Sequence, residues 1–244
     1  MKPHVLILGA KSDIAKALAH EYAQNGYDLY LAARNTDAIA ADVSDLAIRY
    51  NCTAKAVVFD AEKTESHAAF YDSLLPKPEI VISVFGVMFP QEEVQKDWKL
   101  AAQTIAVNYT GAVSILEIAA NEMEKTGSGT IIGISSVAGD RGRAGNYLYG
   151  SAKAGFTAYL SGLRNRLAKK GVHVLTVKPG FVRTAMTEGL PLPAPLTAKP
   201  QQIAKDIFRA AKKQKNVLYS LWMWKYVMLI IRNIPEFVFK KLKL

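Results

Sequence analysis

Tyr149 and Lys153 have the residue types and the spacing that suit transfer of a proton to or from an oxygen atom. Side chains four residues apart lie on one face of a helix, so the phenol and the ammonium would be neighbours. A phenol has an ordinary pKa of about 10, too high for efficient proton transfer near pH 7. A cation about 4 Å away contributes about 4 kcal/mol at an effective dielectric constant of about 20, or about three pKa units. We therefore expect Lys153 to lower the pKa of Tyr149.

Two serines, Ser135 and Ser136, follow an apolar run, and Ser136 stands thirteen residues before Tyr149. A hydroxyl at the end of a strand can donate a hydrogen bond to a substrate oxygen and stabilise the charge that develops on it. Together with Lys153, these residues suit the interconversion of a carbonyl group and an alcohol. The Tyr–Lys spacing alone also occurs by chance, so this interpretation depends on what precedes it in the chain.

Apolar runs that alternate with helical patterns would hold these residues in place. We predict strands at residues 4–8, 29–32, 56–59, 80–85, 130–134, 172–177 and 216–219. We predict helices at residues 14–24, 65–75, 98–125 and 149–170, and one more that ends near residue 50. Short apolar strands separated by helices indicate a doubly wound, Rossmann-type parallel sheet of about seven strands, with helices on both faces. We predict this single α/β domain for residues 1–220. Residues 188–200, which carry four prolines, form either a lid over a substrate or a plain surface loop.

The turn after the first strand is a candidate phosphate site. Gly9 lets the backbone turn sharply, and the N-terminus of the following helix offers free N–H groups to a diphosphate. The turn continues with Lys11, Ser12, Asp13 and Ile14. Asp13 stands where a glycine is usual, and its carboxylate would repel a diphosphate unless it turns away to bond backbone N–H groups. An ordinary strand-to-helix turn is the alternative.

The end of the second strand bears on the choice of cofactor. Arg34 and Asn35 follow it, and no acidic residue lies between Asp28 and Asp37 to hold a ribose hydroxyl. Arg34, with Lys11 as a second cation, would bind the 2′-phosphate of NADP(H). We therefore expect NADP(H) to be preferred, with NAD(H) as the alternative cofactor. Two solvated surface cations would leave the same pattern.

Composition excludes several other classes. The one cysteine, Cys52, cannot form an internal disulfide, and no Cys/His cluster has the spacing of a metal site, so we expect no metal. The first apolar run is too short for a signal peptide, which predicts a cytoplasmic protein. The net charge of +10 is concentrated in residues 199–244, which hold 11 Lys/Arg and two acidic residues.

This basic segment ends in a tail, residues 221–244, that is also rich in aromatic and aliphatic residues. That mixture fits an anionic membrane surface better than a nucleic-acid groove, so we expect no nucleic-acid partner. Its uninterrupted apolar stretch, residues 226–231, is far shorter than the about 20 residues that span a bilayer. The tail is either an interfacial membrane anchor or an oligomer interface.

Over about residues 4–220 the chain resembles the short-chain dehydrogenase/reductase family. The matching residues are Gly9-Ala10 with Ile14-Ala15, Asp60-Ala61, Asn108 to Gly111, Ile134-Ser135-Ser136, Tyr149 with Lys153, and Pro179-Gly180-Phe181-Val182-Arg183-Thr184. The resemblance implies a nicotinamide cofactor, with Tyr149 as the acid in reduction and Ser136 polarising the carbonyl group. It also implies a homodimer or homotetramer.

The resemblance assigns roles to other residues. Asn108 would order a water in a proton relay through Lys153, and Asp60 would contact the adenine. Thr184 would meet the nicotinamide carboxamide. The remaining cofactor contacts implied by the family pattern are Ala61, Gly86, Pro179, Gly180 and Val182. The chain departs from the family in the missing glycines of the first turn and in Ser83-Val84-Phe85-Gly86, where the family has Asn-Asn-Ala-Gly.

The first turn and the tail are also similar to a narrower group, the reductases of the 2-keto group of a polyprenyl-phosphate-linked pentose. This similarity implies a small-molecule or lipid-linked carbonyl substrate and a peripheral position on the inner face of a membrane. A long-chain acyl or sphingoid ketone fits the same features. A protein of another class, which binds a nucleotide or a partner without catalysis, is the further alternative.

Overall fold

The computed structural model describes residues 2–189 and 191–242, and its centre is a sheet of seven parallel strands. These strands are β1 (His4–Leu8), β2 (Asp28–Ala33), β3 (Ala54–Val58), β4 (Ile80–Ser83), β5 (Gly129–Ile134), β6 (Val172–Pro179) and β9 (Val217–Ser220). Their order across the sheet is β3-β2-β1-β4-β5-β6-β9. The predicted Rossmann-type α/β domain is therefore confirmed.

Helices cover both faces of this sheet. They are α1 (Asp13–Gln24), α2 (Ala40–Tyr50), α3 (His67–Ser73), α4 (Gln91–Val94), α5 (Trp98–Ile105), α6 (Ala112–Thr126), α7 (Tyr147–Leu167), α8 (Pro200–Lys212), α9 (Met223–Asn233) and α10 (Glu236–Phe239). Successive residues of a strand point to opposite faces. On β1, Val5 and Ile7 join the core under α1, α2 and α8, whereas Leu6 and Leu8 join the core under α3, α6 and α7.

The carboxyl ends of the central strands meet at one edge of the sheet. Leu8 at the end of β1 is level with Ala32 on β2 and with Ser83 on β4. In doubly wound sheets, ligands bind at this edge, where the direction of the strand order reverses. Here the reversal lies between β1 and β4, so the chain exits of these two strands flank the crevice.

Several elements differ from the sequence-based predictions. The helix predicted for residues 98–125 is interrupted by a π-helical segment, Ala106–Gly111. Strand β4 ends at Ser83 because residues 84–86 leave the sheet to line a cavity. Helix α8 was not predicted, although it carries a recognised start signal, a proline in its first turn. Its apolar residues also repeat at helical spacing and are buried.

The region before α8 is partly ordered by a small second sheet, in which β7 (Phe181–Val182) pairs with β8 (Thr197–Ala198). Within the segment predicted as a lid or a surface loop, Leu190 lies outside the described residues, and the rest runs over the surface towards β8.

The C-terminal tail folds against the domain. Helix α9 buries Trp224 and Met228 in a small core that also contains Val137. Of the predicted tail, Lys243 and Leu244 lie outside the described residues. No helix in the described ranges is long and apolar enough to cross a membrane.

Candidate active site

The first turn has the backbone shape of a phosphate site. Gly9 has φ +89°, and a Cβ there would lie 2.7 Å from the backbone nitrogen of Phe85, so no side chain fits. Ser12 caps α1, and its hydroxyl accepts a hydrogen bond of 3.2 Å from the N–H of Ala15. The other N–H groups at this helix end are available to an anion.

Asp13 turns away from this helix end. Its carboxylate accepts a hydrogen bond of 2.9 Å from the backbone N–H of Ala185, the residue after Thr184. This is the arrangement that the sequence required if the turn is to hold a diphosphate. The carboxylate therefore ties the first turn to the segment that follows β7.

A cavity of about 580 Å³ opens beside the first turn, at the carboxyl edge of the sheet. Most of the predicted cofactor residues line it: Gly9, Lys11, Ser12, Arg34, Asn35, Asp60, Ala61 and Gly86. Its apolar walls include Phe59, Phe85 and Phe89. A cavity of this size, lined by cations and aromatic rings, suits a dinucleotide carrying phosphates.

Arg34 and Lys11 both line this cavity, and both are exposed. Among the described residues, neither cation forms an ion pair. Asn35 is used locally, because its side-chain oxygen accepts from the N–H of Asp37 at 3.0 Å. Asp60 likewise accepts from the N–H of Glu62 at 3.1 Å.

Four of the predicted cofactor residues, Ile14, Pro179, Gly180 and Val182, lie outside the cavity lining. Pro179 and Val182 are buried in the framework, and Gly180 packs against Trp224. Ile14 is half-buried and packs against the core beneath α1. None of these four residues lines the 580 Å³ cavity, so the structure does not place their side chains in contact with it.

Thr184 lines a second cavity of about 950 Å³, between α1 and the segment before α8. Asp13 lines it as well, and the neighbouring Met186 lines the first cavity. The short segment from Thr184 to Met186 is therefore a wall shared by both cavities.

Lys153 is the best-defined member of the predicted catalytic set. It is buried on α7, with 4% of its surface exposed, and its ammonium donates a hydrogen bond of 3.1 Å to the carbonyl of Ile134. The same nitrogen lies 5.7 Å from the centre of the Tyr149 ring. Ser135 fastens the helix to strand β5, because its hydroxyl donates to the backbone oxygen of Lys153. The helix thus presents the phenol and the ammonium on one side, as their spacing predicts.

Ser136 follows β5 by two residues and lies near the phenol of Tyr149. Its hydroxyl oxygen accepts from the N–H of Ala138 at 3.1 Å, which fixes the side chain at the start of a short helical turn. Its hydrogen bonding also opposes the effect of burial on the Tyr149 phenol. The structure therefore brings Ser136, Tyr149 and Lys153 together.

Asn108 joins this group from the π-helical segment. Its amide nitrogen donates to the carbonyls of Val87 and Thr104, at 2.7 and 2.9 Å. Its amide oxygen is buried and has no hydrogen-bond partner among the described residues. A Cβ placed on Gly86 would lie 2.6 Å from that oxygen and 3.5 Å from the Lys153 ammonium. A buried acceptor of this kind is a site for a water or a ligand group.

The expected pKa shift of Tyr149 is wrong in direction. Burial raises the pKa of Tyr149 to about 12, and hydrogen bonding with Ser136 lowers it only in part. Burial also lowers the pKa of Lys153 to about 8. Loss of water penalises both charged forms, and an ammonium 5.7 Å from the ring centre does not offset that penalty. Tyr149 is consequently neutral at pH 7, the protonation state of an acid.

Sequence reasoning missed two groups of residues at the site. Phe59, Phe89 and Met186 line the cofactor-sized cavity, but apolar residues in loops carry no distinctive pattern. Arg141 lies in the loop between β5 and α7. Its guanidinium donates hydrogen bonds to backbone carbonyls of the C-terminal tail. An arginine in a glycine-rich loop resembles a surface charge, so only its contacts reveal this role.

Known proteins resemble this chain in sequence and in fold. The family model for short chain dehydrogenase matches residues 3–193. An uncharacterized oxidoreductase of Mycobacterium tuberculosis is 34% identical over 241 residues, or 98% of this chain and 96% of that protein. Another, from Streptomyces coelicolor, is 31% identical over 98% of this chain and 95% of its own length. A solved short-chain dehydrogenase from Sphingobium yanoikuyae in complex with NADPH has a TM-score of 0.81 and 22% identity, covering 96% and 97% of the two chains.

Proposed function

Because the chain belongs to the short-chain dehydrogenase/reductase family, we propose that it reduces a ketone to a secondary alcohol with NADPH. One observation carries the proposal: Gly86, in the wall of the cofactor-sized cavity, lies directly over both Lys153 and the unpartnered oxygen of Asn108. Asn108 and Lys153 do not themselves line the cavity, but Gly86 is the point where its lining comes near them, which supports the proposal that a nicotinamide lies there.

The chain's own residues supply the proton and the charge stabilisation. A bound reduced nicotinamide supplies the hydride that adds to the carbonyl carbon. The neutral phenol of Tyr149 then donates its proton to the carbonyl oxygen, and the product is an alcohol. The Ser136 hydroxyl hydrogen-bonds the same oxygen as negative charge develops on it. Lys153 stabilises the resulting phenolate, and the Asn108 oxygen positions a water that returns a proton through Lys153.

The cofactor preference is proposed on electrostatic grounds. Arg34 and Lys11 line the cavity without an ion pair among the described residues, and a 2′-phosphate would provide one. The short-chain dehydrogenase from Sphingobium yanoikuyae, a fold neighbour, was solved in complex with NADPH. We propose NADP(H) as the preferred cofactor, with NAD(H) bound more weakly.

We propose a lipid-linked ketone as the substrate class, either a keto sugar on a polyprenyl phosphate or a long-chain acyl or sphingoid ketone. The exposed apolar and basic residues of the C-terminal tail support this assignment. We further propose that residues 1–220 form the catalytic domain, that residues 221–244 hold it at the cytoplasmic surface of a membrane, and that the protein is a homodimer or homotetramer.

The proposal is tested first by cofactor binding. Titration of the protein into NADPH should quench or shift the cofactor's fluorescence, and a flat titration would remove the basis for the reductase. Turnover is then screened as NADPH oxidation with membrane-lipid extracts and simple ketones. Tyr149→Phe is the blank, because it retains the ring and lacks the proton. Tyr147→Phe is the matched control, since Tyr147 begins the same helix and is exposed.

We expect Tyr149→Phe to lose about 10²–10⁴-fold in turnover, the usual contribution of a positioned acid, and to retain NADPH binding. Tyr147→Phe should behave like the wild-type protein. Equal turnover in both variants would show that Tyr149 is not the acid. Binding of NADPH without turnover on any ketone would favour a non-catalytic nucleotide-binding protein.

A further inference from the structure

We propose that the C-terminal segment docks flat on an anionic lipid bilayer through its outer surface, which we define as Trp222, Tyr226, Leu229, Ile230 and Phe237. This inference deepens the proposed function, because it names the surface from which a lipid-linked ketone would be taken. It rests on which sides of α9 are already covered, on the charges around the uncovered side, and on the contacts that join α9 to the catalytic cleft.

The inner side of α9 is part of the protein core. Trp224 and Met228 are 3% and 0% exposed, and the Trp224 ring packs edge-on against Phe181 with 5.3 Å between ring centres. The Trp224 indole N–H also donates to the carbonyl of Leu196 at 3.1 Å. The side of α9 that faces the domain is therefore buried by these contacts.

The opposite side of α9 is also apolar and is not covered by the chain. Trp222 and Ile230 are 69% and 67% exposed, and Tyr226 and Leu229 are more than half exposed. Phe237, beyond the end of α9, is 68% exposed. A soluble helix normally has one apolar stripe, so a helix that is apolar on both sides needs cover on both.

The charges around this surface favour an anionic lipid layer as its partner. Lys225, Lys240 and Lys241 are exposed beside it. The acidic Glu236 is already held by Arg141, whose guanidinium lies 2.8 Å from its carboxylate. A second copy of the chain packing about a two-fold axis would bring this positively charged surface against the same surface of its partner. An anionic headgroup layer attracts all of them, while the aromatic rings enter the interface.

The docked segment is joined firmly to the catalytic cleft. Arg141, in the loop between β5 and α7, donates to the carbonyls of Ile231 and Ile234 at 2.7 and 2.6 Å. Its guanidinium also lies 3.7 Å from the centre of the Phe239 ring. A Cβ on Gly180 would lie 1.9 Å from the Trp224 ring, so α9 rests directly on the turn after β6. Docking of the segment would therefore also set the orientation of the cleft towards the lipid.

The test is flotation of the full-length protein with vesicles of phosphatidylcholine, with and without phosphatidylglycerol. We expect binding only to the anionic vesicles. The variant Trp222→Ser/Ile230→Ser should lower the bound fraction about ten-fold or more, because it removes two large groups from the interface. Its matched control is Trp98→Ser/Ile48→Ser, since Trp98 and Ile48 are 73% and 84% exposed on other helices. Lys225→Glu/Lys240→Glu should also weaken binding, whereas Lys55→Glu/Lys213→Glu has the same change of charge away from the segment and should not.

Absence of flotation in the wild-type protein, or equal losses in the outer-surface variants and their controls, would overturn the proposal. So would light scattering showing that Trp222→Ser/Ile230→Ser splits an oligomer while flotation is unchanged, because the surface would then bind a second copy. These outcomes are separate from the reductase activity, since vesicle binding needs no turnover. NADPH oxidation with a simple ketone but no vesicle binding would leave the proposed reductase activity standing and would overturn the proposed position at a membrane.

Discussion

Asp13 and Ala185, which are 172 residues apart, are joined by a hydrogen bond of 2.9 Å from the Ala185 N–H to the Asp13 carboxylate. The first residue of α1 thereby holds the segment that bears Thr184 and Met186, which separates the two cavities. The same carboxylate is next to the helix end that would bind a diphosphate. Asp13 thus stabilises the loop, and although its carboxylate is turned away, we expect it to weaken the binding of a diphosphate at the same helix end.

Two substitutions separate these effects. Asp13→Asn retains an acceptor for the Ala185 N–H and removes the negative charge, so NADPH should bind about five-fold more tightly, equivalent to about 1 kcal/mol. Asp13→Ala removes the tether as well, so the KM for the ketone should rise. Fluorescence titration and steady-state kinetics measure the two quantities. Identical NADPH affinity in wild type and Asp13→Asn would show that the carboxylate does not act on the cofactor.

The pH dependence of reduction should follow Lys153. Its pKa is lowered to about 8 by burial, so its charge is lost as the pH rises through that value. The pKa of Tyr149 is raised to about 12, so the phenol remains a proton donor over the whole range. We expect kcat/KM for reduction to be level below about pH 8 and to fall above it. A profile that stays level to about pH 10 would show that the ammonium is not needed.

The same buried lysine should cost stability at neutral pH. Its pKa falls from 10.5 to about 8 on folding, so below pH 8 the penalty is about 3 kcal/mol. The unfolded chain binds more protons between these values, so the free energy of unfolding rises with pH across that interval. Lys153→Met removes the penalty and loses one hydrogen bond, worth about 1 kcal/mol, so it should be about 2 kcal/mol more stable at pH 7. Urea unfolding should show this gain shrinking towards about pH 10.5, while exposed Lys55→Met should show little change.

Arg34 should decide between the two nicotinamide cofactors. Arg34→Ser removes a charged hydrogen-bond donor worth about 1.5–3 kcal/mol, so the KM for NADPH should rise about 10- to 100-fold. The KM for NADH should change little, because that cofactor lacks the 2′-phosphate. Arg49→Ser is the control, since Arg49 is an exposed arginine paired with Asp45 on α2. Equal increases in the KM values for NADPH and NADH would show that Arg34 does not recognise the 2′-phosphate specifically.

Gly180 should be intolerant of any side chain. A methyl group there would collide with the Trp224 ring, so Gly180→Ala should destabilise the protein by about 1–3 kcal/mol and loosen α9. Thermal unfolding measures the loss, and the change in tryptophan fluorescence reports the displacement of the ring. Gly142→Ala is the control, because a Cβ at Gly142 meets nothing within 4 Å. Similar stability of the two variants would contradict the packing of α9 on this turn.

Much of the fold could be predicted because its signals are local. Buried strands such as His4–Leu8 and Ile80–Ser83 are continuous apolar runs, and the helices between them imply parallel pairing. Tyr149 and Lys153 share a side of α7 because helical geometry requires it. Helix α8 was not predicted, although the proline in its first turn is a local start signal.

Other features depend on atoms that meet only after folding. The direction of the Tyr149 pKa shift reverses because burial removes water from both charged forms, and burial is not a property of spacing. Asp13 finds its partner 172 residues away. The tail has apolar residues along its whole length, but packing assigns Trp224 to the core and leaves Trp222 outside. Residue order thus establishes which groups are near along one helix or strand, whereas desolvation and long-range contact establish their protonation and their partners.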